Sequence, residues 1–153
     1  MPEFSQQSYP RPPQHRRFAD QLVEYLSESG ACADPTLNQS KVSGEPAVFM
    51  LQLQDEPDRA MCVFNITMNN AISESNPTMR FSLCFRGAPH DQLGPEDDAA
   101  VAFDLLHDMQ DFNLTAKQSV LSCRRIINDP QLSDSNHRWH SIDTYEAVLA
   151  TPI

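Results

Sequence analysis

The sequence predicts an α+β fold in a single domain. It expects an N-terminal helix, an antiparallel sheet of about five strands and a second helix packed on that sheet, in the order α-β-β-β-α-β-β. Three observations lead there. Apolar residues recur at helical spacing near the start of the chain, three runs of alternating apolar residues follow between positions 47 and 86, and an acidic helix start stands at Pro95. A chain of 153 residues fits one domain, because domains centre on about 100–150 residues.

Each element has its own local reason. Residues 1–15 carry Pro2, Pro10, Pro12 and Pro13 among Gln and Ser and read as a flexible arm, leaving 16–153 as the folded domain. From His15 to Ser29, Phe18, Leu22, Tyr25 and Leu26 form one helical stripe, and Gly30 is placed to end it. Residues 31–46, with Pro35, Gly44 and Pro46, read as a loop. Ala47 to Gln54 alternates through Phe49, Leu51 and Leu53, and the turn Asp55-Glu56-Pro57-Asp58 suggests a hairpin into the next run. In that run, Ala60 to Met68, the residues Cys62, Phe64, Ile66 and Met68 share a face. Met79 to Arg86 alternates Met79, Phe81, Leu83 and Phe85 with polar or small partners.

Pro95 suits a first helical turn, and Glu96, Asp97 and Asp98 favour the positive end of the helix dipole. The helix is expected to run to about Phe112, burying Ala102, Leu105, Leu106, Met109 and Phe112. Gln118 to Ile127 fits helix or strand, with strand preferred for the β-favouring or apolar Val120, Leu121, Ile126 and Ile127 and a stop at Pro130. Asp129 to Asn136 would connect it to a last strand, Arg138 to Leu149.

Composition narrows function. Twenty-one acidic against 11 basic residues give a net charge of −10, which argues against a nucleic-acid binder. No apolar stretch approaches the roughly 20 residues a membrane span needs. Residues 1–17 have no apolar leader segment, and Cys32, Cys62, Cys84 and Cys123 are too widely spaced for a zinc pattern, so reduced thiols in the cytoplasm are expected. The glycosylation-type triplets at Asn38, Asn65 and Asn113 then read as chance matches. Four dispersed glycines exclude a Gly-rich phosphate loop, and no cofactor is expected. No nucleophile elbow occurs. His137 and His140 would oppose each other on a strand, and a catalytic metal generally needs three protein ligands. Helix, three strands, helix is also the plan of a double-stranded RNA-binding domain, but its second helix needs a basic start where this chain has Pro95-Glu96-Asp97-Asp98.

Charge is concentrated locally. Seven of the 21 acids lie between Asp91 and Asp111, with no Lys or Arg from Gly87 to Ala116. A solvated helix face is the plain reading; a surface that attracts a basic partner is the functional one.

The helix 18–26, the runs 47–54, 60–68 and 79–86, and Leu105 to Leu114 resemble the first helix, strands and second helix of class I type III secretion chaperones. The resemblance implies a small acidic, cytoplasmic, virulence-associated protein, dimeric through its second helix, that holds a secreted client. On this reading the partner-binding residues are Phe49, Leu51, Phe81 and Phe85 on strand faces, together with Asp97, Asp98, Asp104 and Asp108. An inhibitor or immunity protein whose acids block a basic target is the alternative, and a metal-dependent enzyme using His137 and His140 the third. The leading expectation is non-enzymatic.

Overall fold

The computed structural model describes residues 13–35, 44–69, 76–116 and 118–150. Of the expected arm, residues 1–12 lie outside these, while Gln14 and His15 already belong to the first helix. That helix, α1, spans Gln14–Glu28 and buries Phe18, Ala19, Leu22, Val23 and Leu26. Gly30 ends it at φ 88°. The Ala31 N–H donates to Leu26 O at 2.8 Å and the Gly30 N–H to Ser27 O at 3.3 Å. This closure needs a left-handed residue, which glycine supplies without steric cost.

Six strands form one sheet in the order β1-β2-β3-β6-β5-β4. They are β1 (Ala47–Met50), β2 (Ala60–Asn69), β3 (Thr78–Pro89), β4 (Met109–Thr115), β5 (Gln118–Gln131) and β6 (Arg138–Leu149). The second helix, α2, spans Gly94–Leu106 between β3 and β4. The α+β class and the helix on a largely antiparallel sheet are therefore as the sequence reads, with one strand more.

Four local readings are corrected. First, β1 stops at Met50 and runs parallel to β2, with no hairpin between them. Leu51 takes φ 68° and its N–H donates to Val63 O at 2.7 Å, so the chain leaves the sheet there. Residues 51–59 loop back and are held by arginines from β3 and β6. Second, the face of β2 changes part-way. Asn65 sits at φ 51° and the β2–β3 register shifts between Phe64 and Thr67. A bulge of this kind reverses side-chain parity. Met61 and Val63 therefore face the core ahead of it and Ile66 and Met68 after it, while Cys62 pairs with Cys84 on the opposite face.

Third, α2 ends at Leu106, and Asp108 at φ 58° turns the chain into β4. Phe112 and Leu114, two apart, reach the core as strand residues. Fourth, β5 is a strand as preferred, but it continues through Pro130 to Gln131.

The sheet curls so that α1 touches both β2 and β4, while α2 lies on β3, β6 and β5. Phe81 is the hub of the core. Its ring lies 5.4 Å from Phe18 and 5.5 Å from Tyr145, centroid to centroid. The Tyr25 hydroxyl donates to Leu105 O at 3.1 Å, tying α1 to α2.

Candidate functional site

The least ordinary chemistry lies under α2, where β5 and β6 meet. Strand β6 turns Ser141, Asp143, Tyr145, Ala147 and Leu149 toward the helices. Two of these five positions are polar in a place where the fold asks for apolar side chains. Asp143 is fully buried. Asn128 Nδ2 donates to its Oδ1 at 2.6 Å and Arg125 Nη1 to its Oδ2 at 3.3 Å. A buried carboxylate persists only with such partners. The Arg125 guanidinium also lies 4.2 Å from the centre of the Phe103 ring. His107 stacks on the same ring at 4.4 Å, and its Nδ1 accepts the Arg125 backbone N–H at 3.0 Å. That bond requires an unprotonated Nδ1.

Two hydroxyls in this region have no hydrogen-bond partner: Ser141 Oγ and Tyr145 Oη. Burial, and after it the charge of Asp143, pushes the Tyr145 hydroxyl pKa up. A groove of 350 Å³ opens above, between Glu96 and Phe103 of α2 and Arg125, Asn128 and Ser141 of the sheet. Beside it runs the outer flank of β5. Strand β4 pairs with β5 no further than Cys123. Among the described residues no strand lies along the outer side from Arg125 to Gln131.

A second polar cluster serves architecture. Arg86, 4% exposed, donates to the carbonyls of Gln54 (2.6 Å), Pro57 (2.8 Å) and Asp58 (2.8 Å). Arg138 reaches Asp55 O at 2.8 Å and Asp134 Oδ2 at 3.0 Å. Together they fasten loop 51–59 to the sheet end. The His90 and His137 rings stack at 4.9 Å there. His140 lies on the other face of β6, and burial lowers its pKa. Among the described residues no group of three or more His, Cys, Asp or Glu is placed to hold a metal ion. The cysteines are free and buried. Burial pushes Cys32, Cys62 and Cys123 up to about 12 and Cys84 to about 11, so all four stay as thiols.

The structure scatters the eight residues singled out from sequence. Phe81 and Phe85 are fully buried; alternation marked their face correctly, but α1 and α2 cover it, so they offer a partner nothing. Phe49 is half-buried beside Cys62 on the opposite face. Leu51 is 71% exposed at the bend after β1. Asp98 is buried and chelated by Arg59 at 2.6 and 2.9 Å. Only Asp97, Asp104 and Asp108 are exposed acids, and Asp108 lies 3.4 Å from His107 Nε2. The residues of the groove were not foreseen. The available signal was parity: Ser141 and Asp143 share the phase of Tyr145, Ala147 and Leu149.

With the α+β fold and its groove described, the chain can be set beside known proteins, and one solved structure that it resembles comes from a particle. A chain from the virion of a native gene transfer agent particle superposes with a TM-score of 0.61 at 12% identity, covering 86% of this chain and 96% of that one. The sequence profile of the family described as bacteriophage tail terminator protein matches residues 25–151, and the chain belongs to that family. No curated protein matches the sequence.

Family membership corrects the functional expectations. The type III secretion chaperone resemblance, with its virulence role, its client and its cytoplasmic setting, gives way to membership of the bacteriophage tail terminator family. The inhibitor and metal-enzyme alternatives give way with it. The shared element order misled because helix, strands, helix is a plan many small domains reach independently. The parallel β1 and the strand β4 distinguish this fold from the expected one.

Proposed function

We propose that the protein is a tail terminator that acts without catalysis: it binds the end of a phage or phage-like tail and stops its growth through protein–protein contact. The observation that carries this is the family match across residues 25–151. The fold shared with a virion chain supports it. The chemistry of the molecule agrees, since its charged clusters are spent on holding loops and burying Asp143, and its thiols are kept protonated. Its partners are other particle proteins. The negative charge keeps the free protein soluble before assembly.

The test is deletion in the particle system that encodes the chain, followed by electron microscopy of the tails. Overlong tails of variable length, restored to uniform length by the wild-type chain, are the expected result. Unchanged tail lengths would overturn the proposal.

A further inference from the structure

We propose that an extended, basic segment of another particle protein adds to the sheet along the open flank of β5 and lays alternate side chains into the groove beneath α2. Only the origin of that segment rests on the reading of the chain as a tail protein; the surface itself rests on four observations.

The first is the unpaired flank. From Arg125 to Gln131, β5 has β6 on one side and no strand among the described residues on the other. Such an edge is a template for an added strand. The second is how little guards it. His107 accepts the Arg125 N–H and Pro130 removes one donor, yet Ile127 is 51% exposed and Leu132 83% exposed.

The third observation is the orphaned hydroxyl. Ser141 is 1% exposed, lines the groove and has no partner for its Oγ. Buried hydroxyls are rarely left so. A polar group arriving in the groove would satisfy it.

The fourth is charge. Glu96, Asp97 and Asp104 project from α2, and all three are exposed. No Lys or Arg lies from Gly87 to Ala116. Arg125 is engaged with Asp143 and Phe103. Arg124 pairs across the sheet with Glu146, on the face away from α2. The occupant is therefore basic on its groove side. Its opposite side meets Ile127, which pairs with Thr144 on the outer face, while Asn128 pairs with Asp143 on the groove face. The fitting sequence alternates basic and apolar residues.

The probes are octapeptides alternating Lys with Val and, as the counterpart, Glu with Val. Binding is read by titration calorimetry and by amide hydrogen exchange of the full chain. The Lys–Val peptide should bind, slow exchange in residues 126–131 by about five-fold or more, and lose affinity as salt is raised. The Glu–Val peptide should not bind. The exposed substitution Ile127→Lys, which leaves the core intact, should weaken the Lys–Val peptide by about tenfold. Equal binding of both peptides, binding without protection of 126–131, or indifference to Ile127→Lys would overturn the proposal. In a tail-capture assay, an Ile127→Lys chain that captures tails as well as wild type also overturns it and leaves tail termination standing. A wild-type chain that captures no tails overturns tail termination, and the peptide results are unaffected.

Discussion

Replacing Arg138 by Met should cost the fold about 2–3 kcal/mol, most of it at loop 51–59. The side chain is 7% exposed and faces three carboxylates: Asp134 at 3.0 Å and Asp55 and Asp58 each at 3.3 Å. Asp55 is 82% exposed and Asp58 50%, so both rehydrate when the guanidinium goes. Exposed pairs of that kind contribute about 0–1 kcal/mol. The larger share comes from two contacts that water replaces poorly: the Asp55 carbonyl at 2.8 Å and the Asp134 carboxylate, 26% exposed. Hydrogen bonds to charged groups are worth about 1.5–3 kcal/mol each at most. Met fills the space of the aliphatic stem, so no cavity adds to the cost. Urea unfolding should show a lower midpoint with an unchanged slope, and amide exchange should quicken first in residues 51–59. Arg138→Lys keeps the charge without the planar fork and should fall between the two. A loss below about 0.5 kcal/mol would refute the reasoning and mean that Arg86 alone secures the loop. The pH dependence adds a check. Burial works to raise the Asp134 pKa, but hydrogen bonds from the Arg138 and Asn136 backbone N–H groups and from the guanidinium outweigh it and hold it below 3.8. A carboxylate lowered on folding stabilises fully above its unfolded value and loses that contribution as pH falls through the folded one. Acid sensitivity below the ordinary value of 3.8 should therefore shrink in Arg138→Met.

Other outcomes follow from the same contacts. Phe81→Ala should cost about 3–5 kcal/mol, because the fully buried ring leaves a cavity between Phe18 and Tyr145; a loss under about 1 kcal/mol in denaturant unfolding would show that the core collapses around the site. Asp98→Asn should lose about 1–3 kcal/mol by weakening the Arg59 pair, whereas Asp97→Asn should stay within about 0.5 kcal/mol, and equal effects would refute the distinction. With thiol pKa values of about 11 to 12, the four cysteines should resist a disulfide reagent at pH 8 until the chain unfolds, and rapid labelling of the native protein would contradict their burial. His107→Ala should accelerate exchange of the Arg125 amide, and an unchanged rate would mean that the imidazole does not cap it.

Long-period features of the fold were legible because they follow from single-element physics. The stripe Phe18, Leu22, Leu26 and the alternation Met79, Phe81, Leu83, Phe85 each bury the face they indicate. What the pattern could not carry is any change of phase. Asn65, Asp108 and Asp111 adopt φ of 51°, 58° and 49°, and Asn and Asp enter that region more readily than most residues. At Asn65 the turn inverts the inward set of β2, and at Asp108 it ends a helix whose apolar spacing otherwise runs on into β4. Nor does local sequence show that Arg86, in a strand, would fold back over the loop preceding β2; that contact joins residues about thirty apart. The burial of Phe81 and Phe85 went unread for a related reason. Apolar strand faces at Phe81 and Phe85 were legible as faces, but which helices would lie on them was not.

The most informative departure is where three local rules fail together. Alternation in β6 calls for apolar side chains at 141 and 143, and the chain has Ser and Asp. Pairing calls for a neighbour along the whole of β5, and β4 stops at Cys123. A buried hydroxyl calls for a partner, and Ser141 Oγ has none. In an isolated domain each failure only costs stability, and an alanine at 141 would be the better choice. Ser141→Ala should then stabilise the free chain by up to about 1–3 kcal/mol, since it removes an unsatisfied buried group. If the groove serves assembly, the same substitution should weaken capture of the occupant. A variant that is more stable and assembles less well is what separates a functional groove from a packing defect, because a defect would improve one property and leave the other unchanged.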